Sequence, residues 1–297
     1  MKNKLKKFDP FDEDYQKDPY KYYPKYQEFD PVHWGESASP WRDGSWYIFS
    51  YNDIETLMME KNKLGKDVKT NLPEFYKSPE NEFSARLTEL FSSLPLFQDP
   101  PEHTRSRKLI IKYFNNNLIR ESIPKIEQIV EPLLNSVNHD RFDLVKNITS
   151  TLPLLVIARL IGIPEKDVKY LKSLTLKIID ALDAKTSKEV YYIAGNAAFE
   201  LQKYFKLLFE VKKISPENDI FSKFIQSQAE DNISDDEIIS FVIFLLFTGY
   251  PTTTIFLSKS ILHLISNPNQ LSKLLNNPNL MDSAIEELLR YRGVMLT

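Results

Sequence analysis

The longest helical segment of the sequence, from Ser234 to Ser266, constrains the fold more than any other feature. It opens with Ser234-Asp235-Asp236-Glu237, a capping box in which serine and glutamate bond reciprocally to backbone N–H groups at the start of a helix. An unbroken helix over this span would be about 50 Å long, at about 1.5 Å per residue. Its most apolar part, Ile238 to Phe247, lacks a polar face and needs to be covered on every side. These features predict a long, buried helix in a mainly α-helical protein.

Helical periodicity recurs along most of the chain after residue 99. The other predicted helices cover residues 102–114, 121–137, 149–161, 165–182, 187–213 and 218–229, followed by a short helix after Asn267-Pro268 and a last one at 281–291.

The N-terminal part of the chain shows a different pattern. Strand-forming segments at Val32 to Trp34 and at Trp46 to Phe49 lie on either side of the turn pair Asp43-Gly44, and they predict a small β element. A helix capped by Asn52 or Asp53 is expected next. The first forty residues, rich in Pro, Asp and Tyr, are interpreted as an extended arm. Residues 62–98 are expected to form a long, partly helical loop.

The composition restricts the possible functions. The 297 residues include no cysteine, so within them neither a disulfide nor a thiolate metal site can form. The net charge of −3 disfavours nucleic acid or an anionic membrane surface as the main partner. The lysine-rich start (Lys2, Lys4, Lys6, Lys7) is interpreted as a solvated tail. No apolar stretch approaches the roughly 20 residues needed to cross a bilayer, so we expect a soluble, cytoplasmic protein.

A histidine and an arginine lie four residues apart in the helix predicted after Asp99. The segment Asp99-Pro100-Pro101-Glu102 is a strong helix start, with aspartate as N-cap and proline in the first turn. His103 and Arg107 then share one helix face. Such a pair suits an anionic ligand such as a carboxylate. The alternative is a solvated basic face, since Arg105 and Lys108 are close neighbours.

The segment Thr248–Thr254, with the sequence Thr-Gly-Tyr-Pro-Thr-Thr-Thr, interrupts the long helix. Pro251 cannot donate a hydrogen bond to the carbonyl of Phe247, so a kink is expected. Gly249 removes a side chain where another group could approach the backbone. The threonine hydroxyls can bond back to the preceding turn. Residues of this kind within a buried helix often mark a site. A tolerated packing kink is the alternative.

The remaining polar features say little by themselves. Glu287 and Arg290 lie three residues apart on the last helix, and an exposed pair of this kind stabilises a helix by only about 0.2–0.5 kcal/mol. The isolated histidines His33, His139 and His263 are interpreted as structural or surface residues.

Taken together and in this order, these segments resemble the bacterial cytochrome P450 family of soluble haem-thiolate monooxygenases. The segments that carry the resemblance are Asp99–Arg105 with Arg107, Leu152–Ile157 followed by Leu160–Pro164, Thr248–Thr254, Glu287-x-x-Arg290, and the early strands with Pro31–Trp34. The resemblance implies a mainly α, P450-like fold with a small N-terminal β element. It also implies a single domain over residues 1–297, with the arm, sheet and substrate-side loop in 1–98 and the helical body in 99–297.

The resemblance implies a cofactor and the residues that surround it. The family binds haem b, and His103 and Arg107 match the side chains that contact the haem propionates. Glu287 and Arg290 match the ion pair that braces the haem-binding region. Within the family, haem inserts one oxygen atom of dioxygen into a small lipophilic substrate, with electrons from a ferredoxin-type redox partner. Neither nucleic acid nor a membrane is implied as a partner.

The break in the long helix matches the family's oxygen-binding groove. Gly249 and Thr252 occupy the positions of its glycine and threonine, and are the candidate catalytic residues. Phe247 and Pro251 are expected on the substrate side. The family normally has an acid directly before the threonine, where this chain has Pro251. Because that acid helps to deliver protons, its replacement implies altered oxygen activation.

The end of the chain is the second departure from the family pattern. The sequence stops at Thr297, soon after the Glu-x-x-Arg helix and before the family's cysteine loop. Since only cysteine supplies the thiolate ligand, we expect a fragment without the axial cysteine and no metal ligand within the chain. Two further hypotheses stay open: a haem-free relative that binds and activates a partner enzyme, and a generic α-helical binding module.

Overall fold

A computed structural model describes residues 5–37, 43–60, 64–67, 82–137, 141–182 and 187–291. The chain divides into two compact units. One contains residues 1–92 and 176–198 together with Thr297, and the other contains residues 93–175 and 199–296. That the chain forms one P450-like domain remains a prediction.

The first unit contains short helices and a two-stranded sheet. Its elements are α1 (Glu13–Lys17), α2 (Tyr23–Phe29), β1 (Val32–Gly35), β2 (Ser45–Ile48), α3 (Tyr51–Met59) and α4 (Glu82–Ser93). Strands β1 and β2 are antiparallel, with Trp34 opposite Trp46 and Val32 opposite Ile48. The predicted β element is therefore confirmed. The prediction of Asn52 or Asp53 as the cap of α3 is wrong, because Ser50 caps it with a hydroxyl that accepts from the Asp53 N–H.

The expectation of an extended arm is wrong, because aromatic burial folds the N-terminal residues into a compact cluster. Phe8, Tyr15, Tyr26 and Phe49 form its buried centre, with ring centroids 4.8–5.2 Å apart in the closest pairs. His33 is buried beside it. Its Nε2 accepts from the Phe8 N–H at 3.2 Å and its Nδ1 lies 2.8 Å from Asp30 Oδ2. His33 is therefore a structural residue, as predicted.

The regular secondary structure of the second unit is all helical within its described residues. After a 3₁₀ turn (Pro95–Phe97) its elements are α5 (Glu102–Tyr113), α6 (Asn116–Asn135), a π-helical turn (Val145–Thr149), α7 (Leu152–Ile161), α10 (Ile220–Gln226), α11 (Gln228–Asp231), α12 (Asp235–Gly249), α13 (Pro251–Ser266), α14 (Pro268–Asn276) and α15 (Met281–Arg290). Two helices, α8 (Val168–Ile179) and α9 (Lys188–Ile214), have residues in both units. The mainly α fold class is confirmed.

The long central helix has the predicted start and break. The capping box between Ser234 and Glu237 is complete in both directions, and the helix divides at Tyr250 into α12 and α13, with Pro251 in the first turn of α13. Every residue from Ile238 to Phe247 except Phe244 is buried. This burial confirms that the segment is a core helix.

By length and composition alone, the 32-residue helix from Asp235 to Ser266 could cross a membrane, since its most apolar part has a mean hydropathy of 1.7. The expectation that no stretch approaches this length is therefore wrong. Of the most apolar part of this helix, 56% is buried inside the protein, as in the core helix of a globular fold.

A buried ion pair fixes the end of α7 and the start of α10. Lys212 Nζ donates to Asp219 Oδ2 at 2.6 Å, and both side chains are 3% exposed. Asp219 also caps α10 by accepting from the Ser222 N–H. Gly162 ends α7 at φ +85, and a Cβ there would collide with the Asp219 carboxylate and with Lys212 Nζ. Only glycine suits this backbone conformation at such close range.

Candidate functional site

Helix α5 carries the predicted histidine–arginine pair. The helix begins at Glu102 with Pro101 as its N-cap and without a side-chain cap hydrogen bond. The prediction of Asp99 as the N-cap is therefore wrong. Its backbone carbonyl accepts from the His103 N–H at 3.0 Å, so Asp99 still contributes to the first turn.

The basic side chains of α5 divide into two opposite faces. At about 100° per residue, His103 and Arg107 lie within about 40° of each other, and Arg105 points about 160° away from both. Lys112 lies within about 20° of the Arg105 direction. The face of Arg105 and Lys112 is turned towards α11 and α12, as their contacts show.

Arg105 and Lys112 are bound to the corner between α11 and α12. Arg105 Nη2 donates to the backbone carbonyl of Asn232 at 2.7 Å, and its guanidinium forms an ion pair with Glu237. Lys112 Nζ donates to Asp231 Oδ1 at 2.5 Å. Tyr113 donates its hydroxyl to the other oxygen of the same carboxylate. These contacts hold the pKa of Asp231 below its usual value, through Lys112 first and Tyr113 second.

His103 and Arg107 make no such contacts. His103 is half-buried and Arg107 is exposed, and within the described part of the chain neither side chain forms a hydrogen bond or an ion pair. The two cationic neighbours that suggested a uniformly solvated face are thus not equivalent, because Arg105 is bound elsewhere. This leaves a paired imidazole and guanidinium able to bind a carboxylate.

Gly249 lies where two helices approach each other closely. A Cβ on Gly249 would meet Cδ1 and Cγ1 of Ile157 in α7, both at 3.1 Å. The sequence predicted that some group approaches the backbone here, and the group is the Ile157 side chain. Gly249 therefore has a packing role, and its role towards oxygen remains a prediction.

The threonine hydroxyls bond back to the preceding turn, as predicted. Thr252 Oγ1 donates to the carbonyl of Thr248 at 2.7 Å, and Thr248 Oγ1 donates to the carbonyl of Phe244 at 2.8 Å. Thr252 is exposed, Pro251 is half-buried and Phe247 is buried. The Thr252 oxygen keeps lone pairs that can accept a hydrogen bond from a ligand.

A second set of hydroxyls beside the break was not predicted. Ser258 Oγ donates to the carbonyl of Thr254 at 2.8 Å and lies 2.6 Å from Thr149 Oγ1, in the π-helical turn. Tyr250, at the junction of α12 and α13, is buried, and burial raises the pKa of its hydroxyl. The Lys172 amino group lies 5.6 Å from the centre of its ring. Sequence reasoning missed these partners because they are 78 to 109 residues away.

Glu287 and Arg290 form the predicted ion pair on α15. Two hydrogen bonds of 2.7 Å join the guanidinium to the carboxylate, and Arg290 holds the pKa of Glu287 below its usual value. Both side chains are exposed. Glu287 also lines a cavity of about 400 Å³ whose other walls come from α13 and α14. A bracing role towards haem remains a prediction.

The candidate residues form three local groups. These are the α5 pair, the turn around Pro251, and the α15 ion pair. Among the hydrogen bonds of the described residues that involve His103, Arg107, Thr252, Glu287 or Arg290 side chains, none runs from one group to another. No three His, Asp or Glu side chains in the described ranges are arranged to hold a metal ion.

The fold is mainly α-helical with a small two-stranded sheet, and comparison with known proteins identifies its family. No protein-family model matches the chain. The biotin biosynthesis cytochrome P450 of Bacillus subtilis (strain 168) is 30% identical over 278 residues, which cover 93% of this chain and 68% of that protein. Cytochrome P450 CYP107DY1 of Priestia megaterium is 33% identical over 259 residues, covering 85% of this chain and 62% of that protein.

Solved structures agree with the sequence comparison. The crystal structure of P450BioI in complex with hexadec-9Z-enoic acid ligated acyl carrier protein matches with a TM-score of 0.82 and 28% identity. The match covers 94% of this chain and 69% of that one. The chain therefore belongs to the cytochrome P450 family. It spans about two thirds of the length of the relatives it matches.

The residues present fit one part of a haem group. His103 and Arg107 provide two unpaired donors on one face, which suits the propionate carboxylates. The 297 residues contain no cysteine, so none of them can supply the thiolate that the family uses. A propionate role for His103 and Arg107 therefore remains a prediction, and none of the 297 residues is a candidate for the thiolate ligand.

Proposed function

We propose that this chain provides the propionate-binding face and the oxygen-side helix of a haem-dependent monooxygenase. The observation that carries the proposal is the division of α5 into two faces. Arg105 and Lys112 are bound at the α11–α12 corner, while His103 and Arg107 stay available for an anion. Membership of the cytochrome P450 family supports a haem propionate as that anion. Bound haem would supply the chemistry that inserts one oxygen atom of dioxygen into a small lipophilic substrate.

The residues of the long helix would act on protons and on the substrate. The hydroxyl of Thr252 donates to the carbonyl of Thr248, so its oxygen is oriented to accept a hydrogen bond from a ligand. Pro251 has no ionisable group, so no side chain at this position can hold a proton where the family has an acid. Phe247 and Pro251 would form part of the apolar wall on the substrate side. The ion pair of Glu287 and Arg290 would brace the haem-binding region.

Electron supply, substrate and location complete the proposed function. A ferredoxin-type protein would supply electrons. The relative P450BioI was crystallised with an acyl carrier protein that carries hexadec-9Z-enoic acid, which supports a lipophilic substrate for this chain as well. Burial of the long apolar helix supports placement in the cytoplasm.

A second candidate is a haem-free P450-like protein that binds and activates a partner enzyme. One observation favours this candidate. Pro251 stands where the family has its proton-delivering acid. A haem-free protein of this kind would not bind haem, which is the opposite of what the first proposal predicts.

Titration of the protein with haemin tests the proposal. Arg107→Ala removes a charge-assisted partner of the propionate and should weaken binding by about 1.5–3 kcal/mol, or roughly 10- to 150-fold. Lys108→Ala is the matched control, because Lys108 is also exposed on α5 but lies about 100° further round the helix. Its affinity for haemin should stay close to that of the unchanged protein.

Equal weakening by both substitutions would show that α5 attracts haem only through its net charge. Unchanged affinity in Arg107→Ala would reject the assignment of Arg107. If the protein binds no haemin and remains a stable monomer, the partner-activating candidate is favoured.

A further inference from the structure

The α11–α12 corner holds helix α5 at two points. Arg105 contacts Asn232 and Glu237, and Lys112 contacts Asp231. Arg105 and Lys112 are seven residues apart, so the two attachments are separated by about 10 Å along the helix. One attachment would restrain the rotation of α5 about its axis less firmly than two. Two attachments on the same face fix its rotation.

Glu237 joins this attachment to the long helix. One of its carboxylate oxygens, Oε2, accepts from the backbone N–H and the hydroxyl of Ser234 at 2.9 and 3.0 Å, which closes the capping box of α12. The other oxygen, Oε1, pairs with Arg105. A single carboxylate therefore connects the start of α12 to α5.

The second attachment is also shared. Both oxygens of Asp231 are used, one by Lys112 and one by Tyr113, and the Asp231 side chain is only 11% exposed. The Tyr113 ring packs edge-on against Phe224, with centroids 4.9 Å apart, and Phe224 packs against Phe241 of α12. The far end of α5 is thus fixed to the same apolar core as the long helix.

We infer that Asp231 and Glu237 are positioning residues for the anion-binding face of α5. They bind Arg105 and Lys112 on one side of the helix and so hold His103 and Arg107 on the opposite side, at a fixed rotation relative to α12. The inference rests on the proposed function, in which His103 and Arg107 bind carboxylates. It adds that the selectivity for carboxylates depends on two acidic residues that cannot bind a carboxylate themselves.

The direction of the effect separates positioning from simple electrostatics. Removing a negative charge near an anion site strengthens anion binding if the charge acts only through space. If Asp231 and Glu237 act by positioning, their neutralisation weakens binding because the rotation of α5 is held less firmly. The sign of the change therefore identifies the role.

The experiment compares two ligands that differ only in their carboxylates. Metal-free protoporphyrin IX and its dimethyl ester are titrated into the protein, and the ratio of the two dissociation constants measures carboxylate selectivity without any axial ligand. In Asp231→Asn and in Glu237→Gln, we expect this ratio to fall at least about fivefold, the lower end of typical coupling between linked sites. Glutamine can still close a capping box, so Glu237→Gln mainly removes the ion pair with Arg105.

Ser234→Ala is the control for stability. It removes the cap of α12 while keeping Glu237, Asp231 and their ion pairs. Its selectivity ratio should match that of the unchanged protein even though its melting temperature falls.

The outcomes distinguish this inference from the proposed function. A ratio near one in the unchanged protein would overturn both. A large ratio that is lost in Arg107→Ala but kept or increased in Asp231→Asn and Glu237→Gln would overturn the inference alone. An equal loss in Ser234→Ala would also overturn it, since general destabilisation would then explain the effect.

Discussion

At the scale of a single residue, Gly249 shows how the packing of a neighbouring side chain can restrict the space beside a candidate site residue. Its resemblance to a groove glycine suggests space for a ligand, but the space beside it is occupied by Ile157 of α7. The close approach of the two helices thus leaves little room for a Cβ at this position. The role towards oxygen is an additional hypothesis that stability measurements do not address.

Substitution of Gly249 by alanine tests the packing role. The new Cβ would lie 3.1 Å from two atoms of Ile157, and overpacking of this kind costs about 1–3 kcal/mol. Better helix propensity offsets up to about 1 kcal/mol of that loss. We expect Gly249→Ala to unfold at a lower urea concentration, and the additional change Ile157→Val to offset part of the loss. An alanine variant more stable than the unchanged protein would contradict this packing account.

Residue identity alone did not separate the basic side chains of α5. His103 and Arg107 could be paired from their spacing, but the neighbouring Arg105 and Lys108 made a solvated basic face the favoured interpretation from spacing alone. The partners of Arg105 lie 127 and 132 residues further along the chain, at Asn232 and Glu237. No local pattern encodes such a contact, so the division of the basic residues into two faces needed the structure.

At the scale of secondary structure elements, local signals predicted helices well. The capping box, the break at Pro251 and the threonine back-bonds all follow from short-range chemistry and are confirmed. The failures have two different causes. The N-terminal arm is compact because its aromatic residues pack on Phe49 of the sheet region, and Asp99 does not cap α5 because the helix begins three residues later.

The attachment of α5 to the α11–α12 corner predicts a dependence of stability on pH. Lys112 and Tyr113 lower the pKa of Asp231 in the folded protein. The carboxylate therefore stabilises the fold above its unfolded pKa of about 4, and this contribution is lost as the pH falls through the lower, folded pKa. We expect Asp231→Asn to be less stable than the unchanged protein at neutral pH.

Denaturant unfolding between pH 2 and pH 7 measures this effect. The difference between Asp231→Asn and the unchanged protein should shrink as the solution is acidified. Glu230→Gln is the control, because Glu230 is 80% exposed and lies 3.6 Å from Lys112, so its effect should be small at every pH. A difference for Asp231→Asn that does not change with pH would contradict the assignment.

At the scale of the whole molecule, the chain belongs to the cytochrome P450 family, but its 297 residues carry only part of the groups that the family uses to bind haem. The chain matches cytochrome P450 structures along 94% of its length, and its α5 face suits propionates. The same 297 residues supply no thiolate. For this chain, propionate binding by α5 and thiolate ligation of the haem iron must therefore be tested separately.

An absorption spectrum tests whether this chain can supply a thiolate ligand to the haem iron. When residues 1–297 are supplied with haem, reduced and treated with carbon monoxide, we expect no thiolate-type absorption band, because thiolate ligation requires cysteine. The control is the same chain mixed with a cysteine-containing peptide, which shows whether a thiolate from another molecule can bind the haem iron. A thiolate-type band from the chain alone would contradict the composition argument.

A crystal structure of the protein with bound haem tests the central claim most directly. We expect a propionate carboxylate within hydrogen-bonding distance, about 2.7–3.2 Å, of both the Arg107 guanidinium and the His103 ring. Arg105 should remain on Asn232 and Glu237. Haem bound with its propionates directed away from α5, or contacting Arg105 instead of Arg107, would contradict the account.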